Sequence, residues 1–556
     1  LPAGGGRCTL QDRFLEAPAV DARFLLVALL AAAPFAAAHD GDDPHAGHAL
    51  GRVSFPVSCS TRAQGQFEHA LLLLHHMTYP QARAEFRALA AAEPECAMAD
   101  WGVAMTLFQP LWPTRPGPAE LAAGRAAVAA ARAARPRTER ERRFVDAVAA
   151  FYDDAGAPNY PQRLARWEDA SRAVHEAYPD DPEASVFYAL AHLAVAPPDA
   201  RARDYADEAA ALLLPVYRAN PDHPGAMHYL VHANDVPGRE RELLEVVRRY
   251  EEIAPRNPHA LHMPTHIYTR LGSWPDVVRG NLRAADAALE HPAGDHGQYV
   301  WDEFPHAIEY LVYALLQQGR DAEAERQSAR LHATANLEPT FKTAFHLAST
   351  SARLALERDD WAAAAALPVR TPAALDWDRY PWPEAVTWFA RALGQARTGH
   401  AAEAAPALDR LAALEKAAAS SGETLFERTI RVLRLDAEGW TLQAEGREKD
   451  ARARLVEAAR LERATPKHAV TPAPTLPAEE LLGDLLAEQR HPAEALEAYR
   501  RALEAYPGRF RSLLGAARSA AALGDRAAAR EYYGRLRDGA PDSVRDDAEI
   551  RAGAAP

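Results

Sequence analysis

An all-α solenoid of helical hairpins is the fold that the sequence predicts, and three observations predict it. Alanine dominates the 556 residues, in runs such as Ala362–Ala366, while β-branched residues are sparse; that is a composition of high helix propensity. The 42 prolines are then expected between helices or in first turns, where a missing N–H costs little. A helix–turn–helix unit also recurs with a period of 34 residues. No stretch alternates polar and apolar residues for long enough to build a sheet.

Composition excludes two classes. At 48% hydrophobic residues the chain has ample material for a core, so global disorder is ruled out. The 63 basic residues face 77 acidic ones for a net charge of −14, and only Lys342, Lys416, Lys449 and Lys467 are lysines. Arginines interleaved with acids form no clustered basic surface, so nucleic acid is not an expected partner.

From the N-terminus, Phe24 to Ala38 is a short apolar run preceded by Arg23 and closed by Ala36-Ala37-Ala38. This is the pattern of a secretory signal and its cleavage site, too short to cross a bilayer comfortably. Residues 1–38 are read as an over-extended start plus leader, and the mature chain as periplasmic or secreted, without a transmembrane segment. Residues 39–54, with His39, His45 and His48 among acids, read as a soluble tail, or as a site where a terminal histidine offers a metal its amine and ring. Export leaves Cys59 and Cys96 of three cysteines, an even remainder that points to one disulfide in an oxidising compartment.

The period is plainest near the C-terminus, where His491–Ala495 and Asp525–Ala529 stand 34 apart, as do Tyr499 and Tyr533. A 34-residue helical hairpin is the tetratricopeptide signature, and such units bury their apolar faces only against neighbours, leaving a concave groove. Residues 478–540 form two regular repeats followed by a tail, 541–556. The Pro-rich stretch 465–477 reads as a linker. Residues 55–330 make a solenoid with insertions, and 331–464 further degenerate repeats.

In the middle of the chain the period carries chemistry. Pro224 and Pro258 are 34 apart, as are Gly238 and Gly272, and Pro305 and Gly319 frame a third helix. His228 and His232 are the fifth and ninth residues of the first frame, His262 and His266 of the second, Glu309 and Tyr313 of the third; His259 and His306 both stand second. Steps of three and four return to one helix face. Packed helices lie about 8–10 Å apart, so four imidazoles from two helices can converge.

The stretches Phe55–Pro113 and His223–Gly319 resemble a group of exported bacterial tetratricopeptide-repeat proteins. The resemblance covers most of residues 55–320 and supplies a scaffold but no reaction; where that group often reads His-Pro-Leu-Trp, this chain has Gln109-Pro-Leu-Trp112. It implies that the second, fifth and ninth positions line the groove. The H-x-x-x-H spacing, repeated at the structural period, is the arrangement of helical metal sites. The expected metal ligands are therefore His228, His232, His262 and His266, with His259, His306, Glu309, Asp235 and Tyr313 as further or supporting groups and Asn234 beside them. Copper, zinc or iron suits imidazole, a carboxylate ligand favouring zinc or iron. Such grooves also bind peptide or protein segments, so a metal-free scaffold is the alternative. Pro264 should kink the helix between His262 and His266. His75 and His76 are adequately explained as helix C-terminal charges, and Trp101 and Trp112 as core or groove wall. No phosphate loop, nucleophile elbow or Cys-x-x-Cys pair is present.

Overall fold

Helix follows helix from Thr61–His75 to Asp547–Gly553, each packing on its neighbours in sequence, in a computed structural model that describes residues 49–543 and 545–555. The leader-like run, Cys8, and His39, His45 and His48 lie outside the described residues. The architecture is the expected all-α solenoid. Sheet among the described residues amounts to a hairpin of Pro292–Ala293 with Tyr299–Val300, inside the insertion that displaces the third frame. No helix among them is long and apolar enough to cross a membrane.

Local sequence explains the helix bounds around the histidines. His223 and Asn257 cap the Pro224–Asn234 and Pro258–His262 helices, accepting from the Ala226 and Ala260 amides, and a proline follows each cap. Pro264 has no amide to give, and the chain breaks there into Pro258–His262 and Pro264–Leu271, with His262 and His266 on either side. Gly272 ends the second piece in the left-handed region, at φ 67°. Gly225 is required for a different reason: a Cβ there would lie 2.5 Å from His75 Nδ1.

Cys59 and Cys96 form a disulfide, tying the chain ahead of Thr61–His75 to the start of Ala97–Met105. Two expectations need correction. Residues 49–54 are not all tail: Leu50 is buried, its carbonyl accepts from His76 Nε2 at 3.0 Å, and the Arg52 amide donates to the Asp222 carbonyl. Residues 465–477 are not a spacer either. They have no helix, as the prolines dictate, yet Val470, Ala473 and Leu476 are buried. Fully buried Arg353 gathers Thr471 Oγ1 and the Ala473 and Pro474 carbonyls, and Tyr310 donates to the Ala469 carbonyl at 2.9 Å. Proline keeps the segment from forming a helix, and arginine and tyrosine from neighbouring helices satisfy carbonyls that a helix would have paired.

The last repeats are helical hairpins, Ala478–Glu488 with Pro492–Ala505 and Phe510–Ala522 with Arg526–Gly539. They are not separate from the rest. Buried Arg509 pairs with Glu480 and Glu357, and the Phe510 amide donates to Gln317.

Trypsin acting on the native protein is expected to spare the Lys467–His468 bond. Arg353→Ala should expose it and cost about 3–5 kcal/mol, because Glu309 then stays buried without its cation. Peptide mapping reads the first and denaturant unfolding the second; early wild-type cleavage at Lys467 would show that the segment is not docked.

Candidate functional site

The helices Pro224–Asn234, Pro258–His262 and Pro264–Leu271, and Glu303–Gln317 bring six imidazoles into one buried chamber. His228 and His232 lie 4.9 Å apart between ring centroids, as do His262 and His266. His232 and His266 are separated by 6.1 Å. The four histidines of the repeated spacing therefore sit together. They do not form one set of four. Their ring nitrogens sort with His259 and His306 into His228–His232–His259 and His262–His266–His306, each with donor atoms within 4.8 Å of one another.

The second positions thus complete both groups. Each set takes the fifth and ninth residues of one helix and the second of the next, so the repeat frame delivers the same trio twice even though an insertion displaces His306 from the 34-residue period. A third trio does not form, because the third frame carries Glu309 and Tyr313 instead.

Hydrogen bonds on the outer side of five of the six rings, all but His232, fix their tautomers. His228 Nδ1 donates to the His75 carbonyl at 2.6 Å and His259 Nδ1 to Glu303 at 2.9 Å. His262 Nδ1 donates to Asn281 Oδ1 at 2.7 Å, and Asn281 is oriented by donating its own amide to the Val277 carbonyl. His266 Nδ1 donates to Asp235 at 2.9 Å. His306 Nδ1 donates to His346 Nε2, and His346 Nδ1 to Glu309. With its single proton on Nδ1, a ring so held turns a bare Nε2 inward. Two such pairs face each other closely: His228 and His259 Nε2 at 3.0 Å, His262 and His266 Nε2 at 2.9 Å. His232 Nε2 is buried with no partner.

Buried ion pairs hold the carboxylates charged. Burial works against Asp235, but Lys467 and Arg270 keep it well below the usual range. Glu303 is likewise opposed by burial and held well below by Lys342 and His259. Glu309 is lowered against burial by its bond from His346 and by Arg353. Burial pushes Lys467 down to about 8 against the pull of Asp235. Among the imidazoles, burial lowers His228, His232, His262 and His306 well below their ordinary range, and the neighbouring rings add to the effect.

Some supporting groups are elsewhere than expected. Glu309 stands outside both trios and supports His306 through His346. Tyr313 faces Trp274, Arg353 and Arg509 rather than the rings, and Tyr310 takes its place, 4.7 Å from His262 and 5.0 Å from His266. Asn234 donates to the Leu230 carbonyl and accepts from Arg239. Asp235 supports His266 as a hydrogen-bond acceptor. Sequence reasoning passed over Glu303, Asn281, Lys342, His346 and Lys467. His346 lies 40 residues from His306, off the period, and nothing local marks the others.

His75 and His76 are not surface caps. His75 Nε2 and His223 Nε2 both donate to buried Glu183, at 2.9 and 3.1 Å, while His76 bonds to Tyr250 and Leu50. His223 Nδ1 accepts from the Ala226 amide, so its proton lies on Nε2 and points at the carboxylate. These rings form a satisfied structural network, opposite in tautomer to the chamber.

The chamber space is lined by His232, His259, His266, His306, Trp112 and Lys342, with Ala469 and Val470 of the 465–477 segment forming part of its wall. Leu111, Trp112, His232 and Ala469 also border a wider cleft of about 1520 Å³, counting its open mouth, with largely apolar walls that include Tyr160, Leu193 and Phe426. The chamber and the cleft share these four residues as a common wall.

No family model matches the sequence, and no curated protein matches it. Among solved structures the chain is similar to one described as "Crystal structure of APC/C hetero-tetramer Cut9-Hcn1", at 13% identity over 89% of this chain and 96% of that one, with a TM-score of 0.28.

The lowered imidazoles fix how stability depends on acidity. Below the unfolded value of 6.5 the unfolded chain takes up protons that the folded chain refuses, so stability is present above that value and is lost as pH falls through it. The urea midpoint of metal-free protein should fall from about pH 7.5 to about pH 5 with little change in slope. A midpoint that rises on acidification would contradict the buried neutral rings.

Proposed function

We propose that this solenoid is an exported transition-metal-binding protein whose imidazole chamber, beside the cleft, is the reactive site. The observation that carries the reading is the pair of close contacts between bare ring nitrogens. Two lone pairs facing at 3.0 and 2.9 Å repel unless a cation lies between them. A proton is disfavoured, since burial lowers His228 and His262. Two nitrogens on one ion at about 2.0–2.1 Å stand about 2.9 Å apart at a right angle and about 3.3 Å apart at the tetrahedral angle. The observed separations suit a shared metal. Outer acceptors on five of the six rings are the second layer that metal-binding histidines use.

Nitrogen donors with the carboxylates one layer out favour copper or zinc over iron. When bound, such an ion supplies Lewis acidity toward water or, if redox-active, chemistry with dioxygen. The Cys59–Cys96 disulfide, together with the leader-like run, supports an oxidising compartment. A metal-free scaffold gripping a peptide or protein segment is the second reading; the apolar cleft walls favour it, and the folded-back 465–477 segment beside the chamber weighs against it.

Elemental analysis of protein purified from its own compartment tests the choice. Bound metal should stabilise by about 2.7 kcal/mol when free metal is a hundredfold above Kd, and the gain should vanish as pH falls through the imidazole range. The double change His228→Ala with His262→Ala is expected to abolish stoichiometric metal while circular dichroism keeps its helical signal. Wild-type protein that binds no divalent ion tighter than about 1 μM would leave the scaffold reading in its place.

A further inference from the structure

We infer that the chamber is a two-metal centre, with one ion in each three-imidazole set and a small ligand spanning the pair. The inference rests on the metal reading above and deepens it. Its first support is the division of donors. Each set is complete by itself, with three nitrogens mutually within 4.8 Å, and the sets touch along two seams: His232 with His266 and His259 with His262, both at 6.1 Å between centroids. One ion cannot use six nitrogens so arranged, because each close Nε2 pair, His228–His259 and His262–His266, belongs to a different set.

The second support is the space between them. The small void in the chamber is lined by His232 and His259 from one set and by His266 and His306 from the other. An ion held by three nitrogens keeps a fourth position open. Both open positions then face the same void, and two ions at about 3.5–4 Å can share one bridging group. Trp112, Leu111, Met263 and Val470 supply the rest of the wall, leaving little room for a large ligand.

The third support is charge. The six donors are imidazoles, which bring no charge of their own when they ligate, while Asp235, Glu303 and Glu309 are matched outside them by Lys467 and Arg270, Lys342, and Arg353. The positive charge of two ions is therefore not cancelled by their ligands. Lys342, with Nζ 3.4 Å over the Trp112 ring, borders the same void, its charge already shared between Glu303 and Asp302. The ligand class that fits is a small anion that can lie between two ions: hydroxide through its one oxygen, or azide through its end nitrogens.

Copper(II) and azide are the probes that test this in the full-length protein. Wild type is expected to take up two Cu(II) per chain, with an electron paramagnetic resonance signal integrating to well under two spins because the ions couple, and azide should change that coupling. His306→Gln and His259→Gln each remove one donor from one set with a polar side chain of similar reach. Either should bind one tight Cu(II) per chain and show that ion's full spin intensity; circular dichroism checks the fold, and their agreement guards against one variant's misfolding. One Cu(II) in wild type, or two with full independent spin intensity, overturns the two-metal centre and leaves the metal reading standing. No tight Cu(II) or Zn(II) at all overturns both.

Discussion

A proton on Nδ1 rather than Nε2 decides what this chamber is. Five imidazoles surrender that hydrogen to acceptors outside the ring cluster, namely a helix-end carbonyl, Glu303, Asn281, Asp235 and His346. Each acceptor converts a ring that could have bonded to its neighbour into one that presents a lone pair. The contrast lies in the same molecule: at Glu183 the proton of His223 is forced to Nε2 by a backbone amide on the other nitrogen, and the result is an ordinary polar tie. Residue type is the same in both places, and the outer hydrogen bond separates them.

The acceptors in turn need support. Three carboxylates in a protein interior would ordinarily take up protons and stop accepting from imidazole. Lys467 and Arg270, Lys342 and Arg353 prevent this, and they come from several parts of the chain. Such pairs add little net stability against apolar substitutes. Their effect is on tautomer and orientation. Two of the chain's four lysines are spent here, which sets Lys342 and Lys467 apart from the arginine-rich surface.

The helices and the chamber's position were legible because helical periodicity and repeat period coincide. His228 and His262 differ by one period and share one face, so their meeting follows from the repeat itself. The second-position residues His259 and His306 were legible as neighbours, but not as full members of two trios, because spacing says nothing of how rings pair across helices. Asn281, His346 and Lys467 were illegible for a different reason: their roles depend on which helices pack side by side and on a loop that folds back. The prolines of 465–477 gave the right secondary structure and the wrong exposure. Burial there comes from Arg353, 112 residues or more away in sequence, and no local signal carries it.

That folded-back loop also orders events in time. All six imidazoles of the chamber are in place by His306, but Ala469 and Val470 of its wall emerge from the ribosome more than 150 residues later. A chain ending before residue 469 therefore has all six rings but lacks this part of the wall. The stretch of polypeptide that completes the chamber in sequence is thus also the one that walls it.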